Sequence, residues 1–174
     1  MTYTIRTLTV ADADDFRRIR LDALRRHPEA FGSAYEDEVK LDRTQFAERL
    51  TVPGLTRFGG FRDTELVGLA GLAMREGAKE RHKAKLFSMY VEPGHRGAGL
   101  AERLIEAVIA GAREAGGVEL QLSVTMGNAP AQQLYRRMGF SVYGVERRSL
   151  KVDGRFYDEE LMAFDLTAPM RSPG

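Results

Sequence analysis

The stretch 90–106, Y-V-E-P-G-H-R-G-A-G-L-A-E-R-L-I-E, carries a strand end, a glycine-rich turn and a helix start in one line. The apolar run 86–91 stops at Pro93, Gly94, Gly97 and Gly99 follow with Arg96 among them, and helical spacing begins at Leu100. A junction of this kind leaves the first N–H groups of the helix without intrahelical partners, at the positive end of the helix dipole. It is either an anion site, with phosphate as the usual occupant, or a tight turn that binds nothing.

Downstream, Leu100, Leu104, Ala107, Val108, Gly111 and Ala112 mark one face of a helix that Gly116-Gly117 ends. Val118, Leu120, Leu122 and Val124 alternate with Glu119, Gln121 and Ser123, which predicts a strand over 118–124. Asn128 then offers an N-cap and Pro130 a first turn for a second helix. Ala131, Leu134, Tyr135 and Met138 share a face of it, and Gly139 ends it. Strands are predicted over 141–150 and 155–166 around the turn Val152-Asp153-Gly154, and 167–174 reads as a flexible tail.

Upstream, the strand 84–91 follows a charged loop, 75–83, and a hairpin of strands 57–61 and 65–74. The second of these is almost unbroken in apolar residues, as in a strand covered on both faces, and its Gly68 and Gly71 suggest a bulge or a close backbone approach. A short strand over 4–8 leads through the capping pair Thr9 and Asp12 into an amphipathic helix, 11–26. Phe31, Tyr35 and Val39 recur at fours and predict a helical turn that carries Glu36, Asp37 and Glu38, before a short helix over 43–50. The order β-α-α-β-β-β-α-β-α-β-β predicts a single α/β (α+β) domain, 1–166, on one mixed sheet.

Lys plus Arg number 26 and Asp plus Glu 25, so no charge excess draws the chain to nucleic acid or an anionic membrane. No run of about 18 apolar residues predicts a membrane span, and the first residues carry no signal-peptide core. The absence of cysteine removes thiol catalysis and thiolate metal sites and fits a reducing cytoplasm. His27, His82 and His95 are too scattered for a zinc site, so no metal is expected.

Two familiar phosphate loops fail at the junction. A P-loop needs Lys and Ser/Thr after its last glycine, where this chain has Leu100-Ala101. A dinucleotide fingerprint started at Gly97 and Gly99 places Glu102 where its third glycine belongs, a carboxylate against a pyrophosphate. R-G-A-G-L-A, residues 96–101, instead resembles the Gln/Arg-x-x-Gly-x-Gly/Ala signature of the GNAT (Gcn5-related) N-acetyltransferase superfamily. Val91-Glu92-Pro93 before it resembles that family too, as does Asn128-Ala129-Pro130-Ala131 followed by Leu134-Tyr135 and Gly139-Phe140.

The resemblance implies a mostly antiparallel sheet with helices on both faces and two central parallel strands, 85–91 and 118–124, that splay to admit acetyl-coenzyme A. It implies that backbone N–H groups of Arg96, Gly97, Ala98, Gly99, Leu100 and Ala101 cradle the pyrophosphate, with a charge-assisted contact from Arg96. Met89 and Val91 would pair with the pantetheine amides, and Asn128 would hold the pantetheine arm or position the thioester. A glycine at 97 and 99 keeps a Cβ out of the phosphate's way.

The implied reaction is direct attack of a primary amine, of a small molecule or a protein N-terminus, on the thioester. A backbone N–H near Val91 would donate to the developing oxyanion, and Tyr135 would protonate the leaving thiolate. Some relatives carry a Glu base on the strand before the glycine loop, but here that strand reads Lys85, Leu86, Phe87, Ser88, Met89, Tyr90. Glu36, Glu38, Glu76 and Asp158 are candidates elsewhere, with Tyr143 and Tyr157 as residues that could order a water. For the acceptor, Phe31, Tyr35, Glu36, Tyr143 and Tyr157 are the expected lining, with Arg147 and Phe156 beside them. The alternative is a domain that binds an acyl-coenzyme A without turnover. The family also implies a homodimer.

Overall fold

The computed structural model describes residues 2–169. The helices are α1 (Ala13–Arg26), α2 (Tyr35–Glu38), α3 (Arg43–Glu48), α4 (Leu100–Glu114) and α5 (Ala129–Arg137). The strands are β1 (Thr4–Thr7), β2 (Leu55–Arg62), β3 (Glu65–Met74), β4 (Lys83–Val91), β5 (Glu119–Thr125), β6 (Ser141–Val152) and β7 (Arg155–Asp165). They form one mixed sheet in the order β1-β2-β3-β4-β5-β7-β6. Every neighbouring pair is antiparallel except β4 and β5.

Helices cover both faces, as the unbroken apolar run of β3 predicts. Val67, Ala70 and Leu72 join one core with Leu100, Leu104 and Val108 of α4. Leu66 and Leu69 join the other with Phe16 and Ile19 of α1 and Phe46 of α3. Each fully buried Leu or Ile contributes about 1.5–3 kcal/mol. Asp12 ties the first turn back to its N-cap and to β1: its carboxylate accepts from the Thr9 N–H at 2.8 Å and from Arg6 at 2.8 Å. The expected helix 11–26 therefore opens with a 3-10 turn, Val10–Asp12, before α1.

Glycines set how closely α4 approaches the sheet. A Cβ on Gly60 would stand 2.6 Å from Leu100 Cδ1, and one on Gly68 2.9 Å from Leu104 Cδ1. The bulge expected at Gly68 is present as one extra β3 residue, Val67, between the pairs Gly60↔Gly68 and Phe61↔Leu66. Gly71 is the close approach. At the far end, Arg113 donates to the carbonyls of Leu166 at 2.8 Å and Ala168 at 2.7 Å. The rest of the expected tail, 170–174, lies outside the described residues.

Candidate active site

The site starts where the parallel pair fails. β4 and β5 are in register only at Lys83↔Glu119, Ala84↔Leu120 and Lys85↔Gln121, although β4 continues to Val91 and β5 to Thr125. A bulge on β4 drives them apart: Gly71 pairs with Phe87 and Leu69 with Tyr90, so Ser88 and Met89 stand opposite one β3 residue. Ser88 takes φ +53° to make the bend, a left-handed conformation that costs a non-glycine residue about 1–2 kcal/mol. β3 braces β4 and β7 braces β5 along the whole splay, so the gap is held open from both sides.

The glycine turn and the start of α4 lie at the mouth of this gap. Gly97 and Gly99 take φ +72° and +78°, and a Cβ on either would meet nothing within 4 Å. Gly99 provides no capping side chain. Among the described residues the N–H groups of Leu100, Ala101 and Glu102 find no acceptor. A groove of about 730 Å³ runs from here between β4 and α5. Met89, Val91, Arg96, Gly97, Ala101 and Asn128 line it, all expected from the sequence. Ala98 and Gly99 belong to the turn, while the Leu100 side chain is core.

Arg96 is braced. Its Nε donates to Val91 O at 2.9 Å, and its Nη2 is 3.1 Å from His27 Nε2. Arg137 and Arg155 also face the groove, and Glu102, the carboxylate that argued against a dinucleotide, is paired with Arg137 at 3.4 Å. Sequence spacing does not reveal those two arginines, because they arrive from α5 and the β6–β7 turn. The resulting excess of cations over Glu29 and Glu102 suits an anionic ligand.

Asn128 caps α5 by accepting from Ala131 N at 3.4 Å through Oδ1, which leaves its amide NH₂ for the groove. Tyr135 is 6% exposed and packs edge-on to Phe140 at 5.7 Å. Among the described residues its hydroxyl makes no hydrogen bond, and none of their buried side-chain polar atoms is both sealed from solvent and unpartnered. That hydroxyl is therefore not fully sealed, although Tyr135 lines neither this groove nor the cavity on the α1 side of the splay; its α5 neighbours Ala131 and Leu134 line the groove. Burial raises the Tyr135 pKa above the usual tyrosine value, so the hydroxyl holds its proton.

A second cavity, about 500 Å³, opens on the α1 side of the splay. Ala30 and Phe31 line both cavities, so the two meet at that segment, which is tied down by Thr125 Oγ1 donating to Glu29 O at 2.6 Å. Of the expected acceptor residues, Phe31 thus stands at the junction and Tyr157 lines the first groove. Tyr35, Glu36 and Tyr143 line neither. Tyr35 is taken up by Arg25, which donates to its hydroxyl at 2.6 Å, and Tyr143 is 55% exposed on β6.

The candidate bases are also placed. Glu38 is buried between Arg20, at 2.9 Å, and Arg49, at 3.1 Å. Burial alone pushes its carboxyl up, but the Arg20 hydrogen bonds and both arginine charges prevail and hold it below its usual range. Asp158 accepts from the Arg148 N–H at 2.7 Å, and neither Glu36 nor Glu76 lines either cavity. The sequence reading missed Glu159, which is 9% exposed and accepts from Ser149 Oγ at 2.5 Å inside the second cavity. A signal was present in the strand pattern, where Glu159 falls on an inward position of β7.

The pattern of the acetyltransferase (GNAT) family matches residues 14–140, from α1 through α5. The chain belongs to the GNAT family. An N-acetyltransferase of Mycobacterium tuberculosis (strain ATCC 25618 / H37Rv) is 28% identical over 129 residues, 74% of this chain and 79% of that protein. Streptothricin acetyltransferase of Streptomyces lavendulae is 40% identical over 78 residues, 45% of this chain and 41% of that one. Among solved structures, a Salmonella typhimurium protein described with its cofactor acetyl-CoA superposes with a TM-score of 0.81. It covers 100% of this chain and 99% of its own at 23% identity. The splayed β4–β5 pair is thus the GNAT fold's own gap, with this chain's residues around it. No helix among the described residues is long and apolar enough to cross a membrane.

Proposed function

We propose that the groove takes acetyl-coenzyme A and that the protein moves its acetyl group to a primary amine, of a small molecule or a protein N-terminus, by direct attack. The observation that carries this reading is the broken ladder after Lys85↔Gln121, with unpartnered N–H groups of α4 at its mouth. A pantetheine arm is a chain of amides that fits where a third strand is missing, beside Met89 and Val91. Its pyrophosphate suits the turn Arg96, Gly97, Ala98, Gly99 and the first residues of α4, Leu100 and Ala101. The named N-acetyltransferase relatives and the acetyl-CoA bound by the Salmonella protein support the same choice.

Acetyl-coenzyme A supplies a thioester and a thiolate leaving group. The acceptor reaches it as an ammonium and loses one proton, freeing the lone pair that forms the C–N bond as the C–S bond breaks. The nitrogen loses its second proton as the amide forms. Tyr135 delivers one proton to sulfur and is reprotonated, and the other proton leaves to solvent. Asn128, with its amide NH₂ free, orients the arm so that the carbonyl faces the second cavity. The chain acts in the reducing cytoplasm, as a homodimer joined through the exposed edge strand β6.

Tyr135→Phe tests the reading. Turnover of an accepted amine substrate falls by about 10²–10⁴, while stabilisation by acetyl-coenzyme A persists. Unchanged turnover contradicts the acid assignment and leaves the binding site standing.

A further inference from the structure

The second cavity is bipolar once its internal ion pairs are set aside. Four cations line it, Arg20, Arg49, Arg57 and Lys85, with three carboxylates, Glu38, Glu146 and Glu159. Arg20 and Arg49 are both committed to Glu38. Arg57 and Lys85 are left on the β2–β4 side and Glu146 and Glu159 on the β6–β7 side, and among the described residues none of these four has an ion-pair partner.

Arg57 is the more informative cation. Its guanidinium lies 5.2 Å from the Phe16 ring and 5.5 Å from the Phe87 ring, and its one hydrogen bond goes to Arg49 O. Burial, with Arg20 and Arg49 nearby, holds its pKa down to about 10, with Glu38 acting the other way. A desolvated guanidinium without a carboxylate is costly, and an anion in the cavity relieves it.

Glu159 is the mirror case. It is buried, has a hydroxyl donor in Ser149 and lacks a cation. Glu146 stands directly across from it in the β6–β7 register, so two like charges share this end. Two strained residues frame the chamber. Among the described residues, the non-glycine positive-φ positions inside strands are Ser88 and Arg148, both at +53°. Their bulges turn the hydroxyl of Ser88 to Arg20, at 3.0 Å, and that of Ser149 to Glu159. Strain of this kind persists where the surroundings hold it and gathers at working sites.

We propose that this chamber receives an acceptor that carries both a primary amine and an anionic group remote from it, the amine at Glu159 and the anion at Arg57. The inference rests on the acetyl-transfer reading above. Glu159 takes the first proton of the ammonium, and the freed nitrogen faces the junction at Phe31, where the chamber meets the groove. Lys85, at the last paired position before the splay, stands between the ends and helps draw the anion in. β3, β4 and the splayed gap to β5 lie between β2 and β7, so the anion sits several bonds from the amine and not on its α-carbon.

The test uses the full chain and matched probes: ω-amino carboxylates from aminobutanoate to aminooctanoate, each beside the alkylamine and the diamine of equal length. Release of free coenzyme A thiol gives kcat/KM, and calorimetric titration of the same amines into protein saturated with coenzyme A gives affinity without turnover. At least one carboxylate is preferred over its alkylamine by about tenfold or more, the size of one charge-assisted contact. Arg57→Met abolishes that preference in both readouts and Arg57→Lys retains part of it, with stabilisation by acetyl-coenzyme A unchanged in each variant. Glu159→Gln lowers kcat for every probe. If acetyl-coenzyme A stabilises the protein but no carboxylate outperforms its neutral or cationic partner, or if Arg57→Met keeps the preference, the acceptor assignment is overturned alone. No response to acetyl-coenzyme A overturns the reading beneath it.

Discussion

The Arg57 guanidinium meets the Phe87 ring at 5.5 Å across a strand that separates their own. Gly71 permits it. Arg57 pairs with Gly71 and Gly71 with Phe87, and a Cβ on Gly71 would stand 2.6 Å from Phe87 Cζ. The ring therefore lies over bare backbone and reaches the cation. Gly71→Val forces the ring aside and lowers stability by about 1–3 kcal/mol, a fall in Tm of roughly 2–4 °C per kcal/mol for a chain of this size. Chemical denaturation monitored by circular dichroism checks it; an unchanged midpoint contradicts the packing account.

The buried pair Arg20–Glu38, with Arg49 alongside, predicts two effects. Removing the carboxylate by Glu38→Gln strands two arginines and costs about 3–5 kcal/mol. Glu38 and Asp12 both have lowered carboxyl pKa values in the folded protein, Asp12 at about 2 through its Arg6 hydrogen bonds, against the burial that opposes them. A lowered folded pKa gives stability that is complete above the unfolded value and lost as pH falls towards the folded one. Unfolding midpoints of the parent chain therefore decline from about pH 4 to about pH 2, and Asp12→Asn flattens that decline. Equal slopes in parent and variant contradict it.

The left-handed Gly99 opens α4 with no side chain in front of its free N–H groups. Gly99→Glu adds both a strained φ and a carboxylate at the proposed phosphate site. The thermal stabilisation given by acetyl-coenzyme A shrinks in this variant well beyond any loss in the unliganded protein. An equal shift in parent and variant shows that no phosphate sits there.

β6 is an edge strand that exposes Val142 at 43%, Tyr143 at 55% and Val145 at 48%. Such an edge pairs readily with another strand. Sedimentation velocity is expected to give twice the chain mass, and Val145→Glu to give the single-chain mass. A monomeric parent chain contradicts the dimer.

Most of the architecture was legible because it is written in local periods and stops. The alternation Val118, Leu120, Leu122, Val124, the N-cap at Asn128 and the glycines at 97 and 99 each act over a few residues, and these elements stand where they were expected, although three helices, not the two of the expected order, separate β1 from β2. The first groove followed from two motifs for the same reason. The second cavity was not legible, because its chemistry is assembled across distance. Arg57, Ser88, Ser149 and Glu159 lie on β2, β4, β6 and β7, and only the bulges at Ser88 and Arg148 turn them together. Glu36 and Glu38 failed as candidate bases for the same reason: Glu38 is buried with arginines from α1 and from just past α3, and Glu36 is exposed away from both cavities.

The most direct test is calorimetric titration of acetyl-coenzyme A into the unmodified protein. The account predicts one site per chain with a dissociation constant in the micromolar range and a matching rise in Tm that grows with ligand concentration. Neither heat nor a Tm shift at millimolar acetyl-coenzyme A would contradict the claim that the β4–β5 splay and the turn at 96–101 form its binding site.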